Sequence, residues 1–347
     1  MVSSSTINAM PSQTGAVYTI DNAVINHVLV FTRGTDGTLV ASGNYSTQGN
    51  GTGSALASQG AVTLSNDGHW LLVVDAGSNE ITVFHVNGNT LTFADKVSSQ
   101  GLAPISITVN YQNLVYVLNN GSATTPGNLA GFWLSSTGVL TYIGGSNQTL
   151  SGAPNTSPEQ IGFNPDGRVL VVTEKAANII DTYTVSYTGV PSAPITTPSN
   201  GLGPYGFAFS WSYLIVSEAG SNTLSSYALS DSGSLRTLSG AMPDFGNAPC
   251  WVALNTQFSS YVYADNAHGG TISGYTLSGI GTLNLFSSVA AKAGVPSLDM
   301  AFGKGGEFLY VLNGNNITGF KTYFDGSLSQ ITAVGGLPAS ATGLAAS

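Results

Sequence analysis

Seven polar residues close seven apolar stretches of the chain: Asp21, Asp75, Asn119, Glu174, Glu218, Asn266 and Asn313. Each stands where a hydrophobic run, such as the one ending LVVTEK at Lys175, gives way to a loop. Carboxyls gathered on one surface raise one another's pKa, and a raised carboxyl serves as a general acid or base near neutral pH. Hydrolysis of an ester or lactone needs such a base to activate water, and donors for the developing oxyanion. Glu174 and Glu218 are the candidate bases, because Glu is a poor turn residue and occurs in the set only at these two successive positions. His268 is the third catalytic candidate. Asp75, Asn119, Glu159, Lys175, Tyr205, Trp251, Asn266 and Asp299 are candidates for binding substrate. The competing reading is structural, since Asp and Asn commonly cap strand ends and hydrogen-bond loop amides.

The elements that carry these residues repeat. A short apolar strand recurs at Val62, Ile107, Ile161, Phe207, Val252, Met300 and Leu344, with starts 44 to 54 residues apart. That is the period of a propeller blade. A second strand ends at the polar residue. A third carries a central aromatic (Phe31, Phe84, Phe132, Tyr183, Tyr227, Tyr275 or Phe320), read as packing between blades. A hairpin glycine follows, at Gly37, Gly88, Gly138, Gly189, Gly233, Gly281 and Gly326, and leads to a fourth strand. Pro104, Pro158, Pro204 and Pro249 lie three residues ahead of a first strand and are expected in the connecting loops. The first blade lacks an innermost strand, and Leu344–Ser347 is an innermost strand without followers. The fold expected is therefore one all-β domain over residues 1–347, a seven-bladed β-propeller closed by its C-terminal strand. Residues 1–14 are expected to form a loose N-terminal segment.

Antiparallel pairing puts the start of each first strand and the end of each second strand on one rim. That rim collects Asp21, Asp75, Glu159, Glu174, Glu218, Asp265 and Asp299, seven of the 17 acidic residues, together with Lys175, His268 and Lys292. Arg33, Arg168 and Arg236 fall in hairpins and should face elsewhere.

Composition narrows the function. Only 7% of residues are charged and the net charge is −9, which makes a nucleic-acid backbone an improbable partner. No apolar run is long enough to span a membrane. Residues 1–13 have neither a basic nor an apolar region and do not read as a signal peptide. The low Lys and high Ser, Thr, Gly and Asn content suits an extracellular or periplasmic location, with the cytoplasm left open. One cysteine, Cys250, excludes an intrachain disulfide and a Cys-based zinc site.

The stretches NPDGRVLVVTEKAANIIDTYTV (Asn164–Val185), NDGHWLLVVDAGSNEITVF (Asn66–Phe84) and Gly306–Leu328 (GEFLYVLN, then ITGF, then DGSL) resemble the lactonase-type seven-bladed propellers. This is the family of bacterial 6-phosphogluconolactonase and fungal carboxymuconate cyclase, and the resemblance extends over nearly the whole chain. It implies a lactonase-like activity with His and Arg on the loops before the innermost strands. Here those loops read QGA, API, PEQ, PYG, PCW, PSLD and ASATG, without His or Arg. An acidic mouth does not suit an anionic lactone.

The leading expectation is a lactonase-like hydrolase of a small, neutral or cationic ester or lactone, acting as a monomer with no required cofactor. The first alternative is a non-catalytic exported propeller that binds a ligand or partner on the same rim. The second is metal-dependent ester or phosphoester hydrolysis, with a cation such as Ca²⁺ held by the acidic ring. No metal ligand set is assigned from the sequence.

Overall fold

Hydrophobic strands that alternate with glycine turns have one economical way to bury both faces, which is to stack sheets radially. The computed structural model describes residues 14–152, 155–255, 257–258 and 260–347. The expected loose segment therefore lies outside the described residues, apart from Thr14. All elements are β-strands, arranged in seven sheets. The innermost strands are Thr342–Ala346, Val62–Leu64, Pro104–Val109, Pro158–Phe163, Pro204–Ser210, Pro249–Leu254 and Ser297–Phe302, for blades 1 to 7. The chain is a seven-bladed β-propeller.

Blade 1 is completed from the far end of the chain. Its sheet runs Thr342–Ala346, Gly15–Ile20, His27–Arg33, Leu39–Ser46, with Val17 opposite Ala346 and Tyr18 opposite Ala345. Arg33 Nε and Nη2 donate to the Ser347 carbonyl at 3.1 and 2.9 Å. The two ends of the described chain are thus locked together within one sheet.

The recurrent aromatics pack as expected. Phe31, Phe84, Phe132, Tyr183, Tyr227, Tyr275 and Phe320 are all buried. Each of the seven hairpin glycines has positive φ, between 63° and 87°. The prolines differ from expectation. Pro104, Pro158, Pro204 and Pro249 are the first residues of innermost strands, opposite Asn119, Glu174, Glu218 and Asn266. A strand's first residue tolerates proline because its missing N–H falls outside the ladder. A β-bulge follows at once, so that Glu159 and Cys250 are extra residues between ladder partners. Bulges re-aim side chains at sheet ends, and here they turn the chain into the channel.

The central channel is crossed by the loop between blades 1 and 2. Gln59 Nε2 donates to the Val252 carbonyl at 2.9 Å, and Gln59 Oε1 accepts from Val252 N at 3.2 Å. The Gln59 amide N donates to the Glu159 carbonyl at 3.1 Å. The loop therefore ties blades 4 and 6 together across the axis. Gly206 faces it closely, and a Cβ there would lie 2.2 Å from Gln59 Oε1. Gln59 also lines a cavity of about 390 Å³, together with Gln160, Phe163, Phe207, Asp299 and Met300.

Candidate functional site

The polar rim resolves into two shells. The outer shell holds the seven residues at the ends of the second strands, all buried. Asp75, Asn119, Glu174, Glu218 and Asn313 hydrogen-bond the loop that brings the chain in from the preceding blade, whereas Asp21 accepts from the Ala23 and His27 amides of its own hairpin. Asp75 accepts from Asn26 at 2.9 Å, Thr47 at 2.5 Å and Thr82 at 2.7 Å, and burial raises its pKa. Glu218 accepts from Ser199 at 2.9 Å, from the Gly201 amide at 2.7 Å, from Ser225 at 2.7 Å and from Thr223 at 2.5 Å. Asn119 donates to the Ser99 carbonyl at 3.1 Å. Asn266 donates to Ser273 at 2.9 Å. Glu174 accepts from Ser151 at 2.9 Å, and burial followed by the neighbouring Asp181 carboxyl pushes it up to about 7.

Glu174 and Glu218 thus sit beneath different inter-blade loops, and the structure does not bring them to one site. His268 stands exposed in the turn after Asn266, with its amide bonded to the Asn247 carbonyl. Lys292 ends the outermost strand of blade 6, Leu283–Lys292, and so leaves the mouth. A sequence signal for the clasp role was available. A hydroxyl residue stands seven positions after Asp75, Glu218 and Asn266 (Thr82, Ser225 and Ser273), where an antiparallel hairpin returns it to the same face.

The inner shell gathers around the channel. Glu159 is 1% exposed, with Oε1 accepting from Ser157 at 3.0 Å and lying 3.7 Å from Lys175 Nζ. Its other oxygen, Oε2, has no hydrogen-bond partner. Burial raises Glu159 to about 8, and the Lys175 ammonium only partly offsets this. Lys175 is 40% exposed along its side chain and holds its ammonium 5.0 Å from the centre of the Tyr205 ring. The Tyr205 hydroxyl faces the Glu159 carboxyl, and burial raises its own pKa. Trp251 packs edge-on against Tyr205 at 5.5 Å and donates from Nε1 to the Ser58 carbonyl at 3.0 Å, so it is held under the channel loop. Four of the residues named from the sequence, Glu159, Lys175, Tyr205 and Trp251, therefore do form one cluster.

Two further acids lie close to the axis. Asp299 accepts from its neighbour Met300 N and from Leu344 N, each at 2.8 Å, and burial raises it to about 8. Asp265 occupies the position at which Thr173 and Ser217 donate to the next blade, to the carbonyls of Tyr205 at 2.5 Å and Cys250 at 2.7 Å. Burial raises the pKa of Asp265, and neither of its carboxyl oxygens has a hydrogen-bond partner, so it does not repeat that tie to the next blade. The Cys250 thiol is pushed up to about 12 by burial and is no nucleophile. Among the described residues no group of three or more His, Cys, Asp or Glu is arranged to hold a metal ion.

These raised carboxyls make stability pH-dependent in an uncommon direction. Glu159 rises from 4.5 to about 8 in the fold, so between those values the folded chain keeps a proton that the unfolded chain releases. Its contribution is complete below about pH 4 and is lost as pH rises through about 8. At 1.36 kcal/mol per pH unit this is at most about 5 kcal/mol, and Asp299 acts in the same sense. The melting temperature is expected to be several degrees higher at pH 5 than at pH 9. A higher value at pH 9 would show that these carboxyls are ionised in the fold.

Sequence and structure comparisons agree with this architecture. The lactonase 7-bladed β-propeller family matches residues 13–126 and 134–252. No curated protein matches the chain in sequence. A protein from Lactobacillus plantarum superposes with a TM-score of 0.75 at 19% identity, covering 96% of this chain and 99% of that one. The periplasmic gluconolactonase of Pseudomonas aeruginosa gives 0.74 at 16% identity, covering 96% and 99%. A protein from Desulfotomaculum acetoxidans gives 0.75 at 13% identity, covering 95% and 98%. Identities this low establish the shared fold and leave chemistry to the site.

Proposed function

The chain belongs to the lactonase family of seven-bladed β-propellers, and on that premise we propose that it hydrolyses a small uncharged or cationic lactone or ester at the inner mouth, with Glu159 as general base. The observation that carries this reading is the Glu159–Lys175–Tyr205 cluster. It pairs a buried carboxyl raised to about 8, one oxygen of which lacks a partner, with a half-exposed ammonium at 3.7 Å. Buried polar atoms without partners are rare and mark positions that await a reactant or water.

Ionised Glu159 takes a proton from water as the water oxygen attacks the carbonyl carbon. The C=O electron pair moves onto oxygen, where Lys175 and the Tyr205 hydroxyl supply positive charge and a donor. Collapse re-forms the carbonyl and expels the ring alkoxide, which takes the proton back from Glu159. The product is a hydroxy acid, ionised at neutral pH. A chain of net charge −9 admits a neutral lactone without penalty and repels the carboxylate it becomes. The uncharged ring of a gluconolactone, the substrate class named for the Pseudomonas aeruginosa neighbour, fits this charge logic better than a phosphorylated one. That neighbour's periplasmic location matches the export expected from composition. Among the described residues no helix is long and apolar enough to cross a membrane.

The binding-module reading is favoured by a different observation, the closure of the site. Glu159 and Tyr205 are 1% and 3% exposed, beneath a loop pinned across the channel. A pH–rate profile separates the two readings. Turnover of uncharged lactones is expected to rise through about pH 8, to persist in EDTA while the fold is intact, and to shift its rising limb to higher pH in Lys175→Met, which loses the ammonium that favours ionised Glu159. Absence of turnover across lactones and aryl esters from pH 5 to 10 would leave the binding module, and turnover abolished by EDTA would leave the metal-dependent hydrolase.

A further inference from the structure

We propose that the seam beneath the loop joining blades 3 and 4 binds a divalent cation of calcium size between Glu174 and Asp181. The blades themselves supply the control. In blade 2 the clasp residue Asp75 accepts from the Thr82 hydroxyl at 2.7 Å, and in blade 5 Glu218 accepts from Ser225 at 2.7 Å. In blade 6 Asn266 donates to Ser273 at 2.9 Å, and in blade 7 Asn313 donates to Thr318 at 2.9 Å. Four blades thus pair the clasp residue with a hydroxyl on the third strand. Blade 4 puts a second carboxyl, Asp181, at that position.

The strand register fixes the geometry. Glu174 stands opposite Ile179, and Val172 opposite Asp181, so the two carboxyls are diagonal neighbours on one face of the sheet. Tyr183 follows two residues on, on the same face. Each carboxyl is oriented through one oxygen. Ser151 donates to Glu174 Oε2 at 2.9 Å and Thr196 donates to Asp181 Oδ1 at 2.6 Å. The other oxygens, Glu174 Oε1 and Asp181 Oδ2, are buried without a partner.

Two groups that are not acids make the same point independently. The hydroxyls of Thr156 and Tyr183, residues that are 6% and 0% exposed, lie against Glu174 and Asp181 and have no hydrogen-bond partner outside this seam. Four buried oxygens converging in one seam with no partner outside it, two of them from carboxylates that balance a double charge, are the donor set that Ca²⁺ takes. Mg²⁺ demands closer, near-octahedral ligands and is reluctant to shed water, so it fits a strand-held cage less well. The proposed ligands include neither Glu159 nor Lys175, so the site stands or falls independently of the hydrolytic reading.

The test is calorimetric titration with CaCl2 and thermal unfolding with and without it, for wild type, Asp181→Ser and a MgCl2 control. Asp181→Ser installs the hydroxyl partner that blade 5 already uses, so it should fold. Expected are one calcium ion per chain, a rise of about 5 °C in the wild-type melting temperature at an excess of calcium, a smaller response to magnesium, and loss of both calcium effects in Asp181→Ser. An equal calcium response in wild type and variant would assign binding to the acidic surface and overturn the proposal. No response in the wild type would also overturn it.

Discussion

Removal of Leu337–Ser347 is expected to unfold the entire propeller rather than fray one blade. The segment contributes the innermost strand of blade 1 and the buried residues Leu337, Ala341 and Leu344. Burial of each leucine is worth about 1.5–3 kcal/mol. Arg33, 3% exposed, would lose the Ser347 carbonyl that satisfies both its Nε and Nη2. Asp299 would lose its bond from Leu344 N. The inner edges of blades 2 and 7 would also lose the strand between them. Together these losses are comparable with the ~5–15 kcal/mol that holds a typical domain together. Circular dichroism of the truncated chain should show no cooperative thermal transition. A transition within a few degrees of the full chain would mean that blades 2 to 7 are stable without closure.

Glu159→Gln is expected to lower kcat by about 10²–10⁴, the usual contribution of a general base, with little change in unfolding. The amide preserves the shape and keeps an acceptor for Ser157, while removing the group that takes the proton. It also removes the cost of burying an ionised carboxyl, so its stability at pH 9 should equal or exceed that of wild type. Glu218→Gln predicts the opposite split. Glu218 holds four hydrogen bonds to its own blade and to the incoming loop, so the melting temperature should fall and kcat should stay.

The fold was legible because each blade repeats its punctuation. A glycine of positive φ, a buried aromatic and a strand-ending polar residue recur at fixed spacing, and the orphan strand at Leu344 could pair only with Ala16–Ile20. The site was legible in part. Glu159, Lys175, Tyr205 and Trp251 were found because antiparallel pairing places strand starts and strand ends on one rim. The distinction between two shells on that rim was not found. It depends on which way a bulge turns Glu159 and on what fills the third-strand position facing Glu174 or Glu218, and both are consequences of register. The channel loop was missed for another reason. Gln59 lies in a Gly- and Ser-rich stretch that reads as a plain turn, and its partners Val252 and Glu159 are far off in the chain.

The central claim is that chemistry belongs to the inner shell and architecture to the outer one. Side-by-side hydrolysis of an uncharged δ-lactone by wild type, Glu159→Gln and Glu218→Gln at pH 8.5, each first shown to be folded, tests it most directly. The predicted result is turnover by wild type and Glu218→Gln, with Glu159→Gln reduced at least ~100-fold. Wild-type activity retained in Glu159→Gln and lost in a folded Glu218→Gln would contradict it and return the reaction to the outer ring.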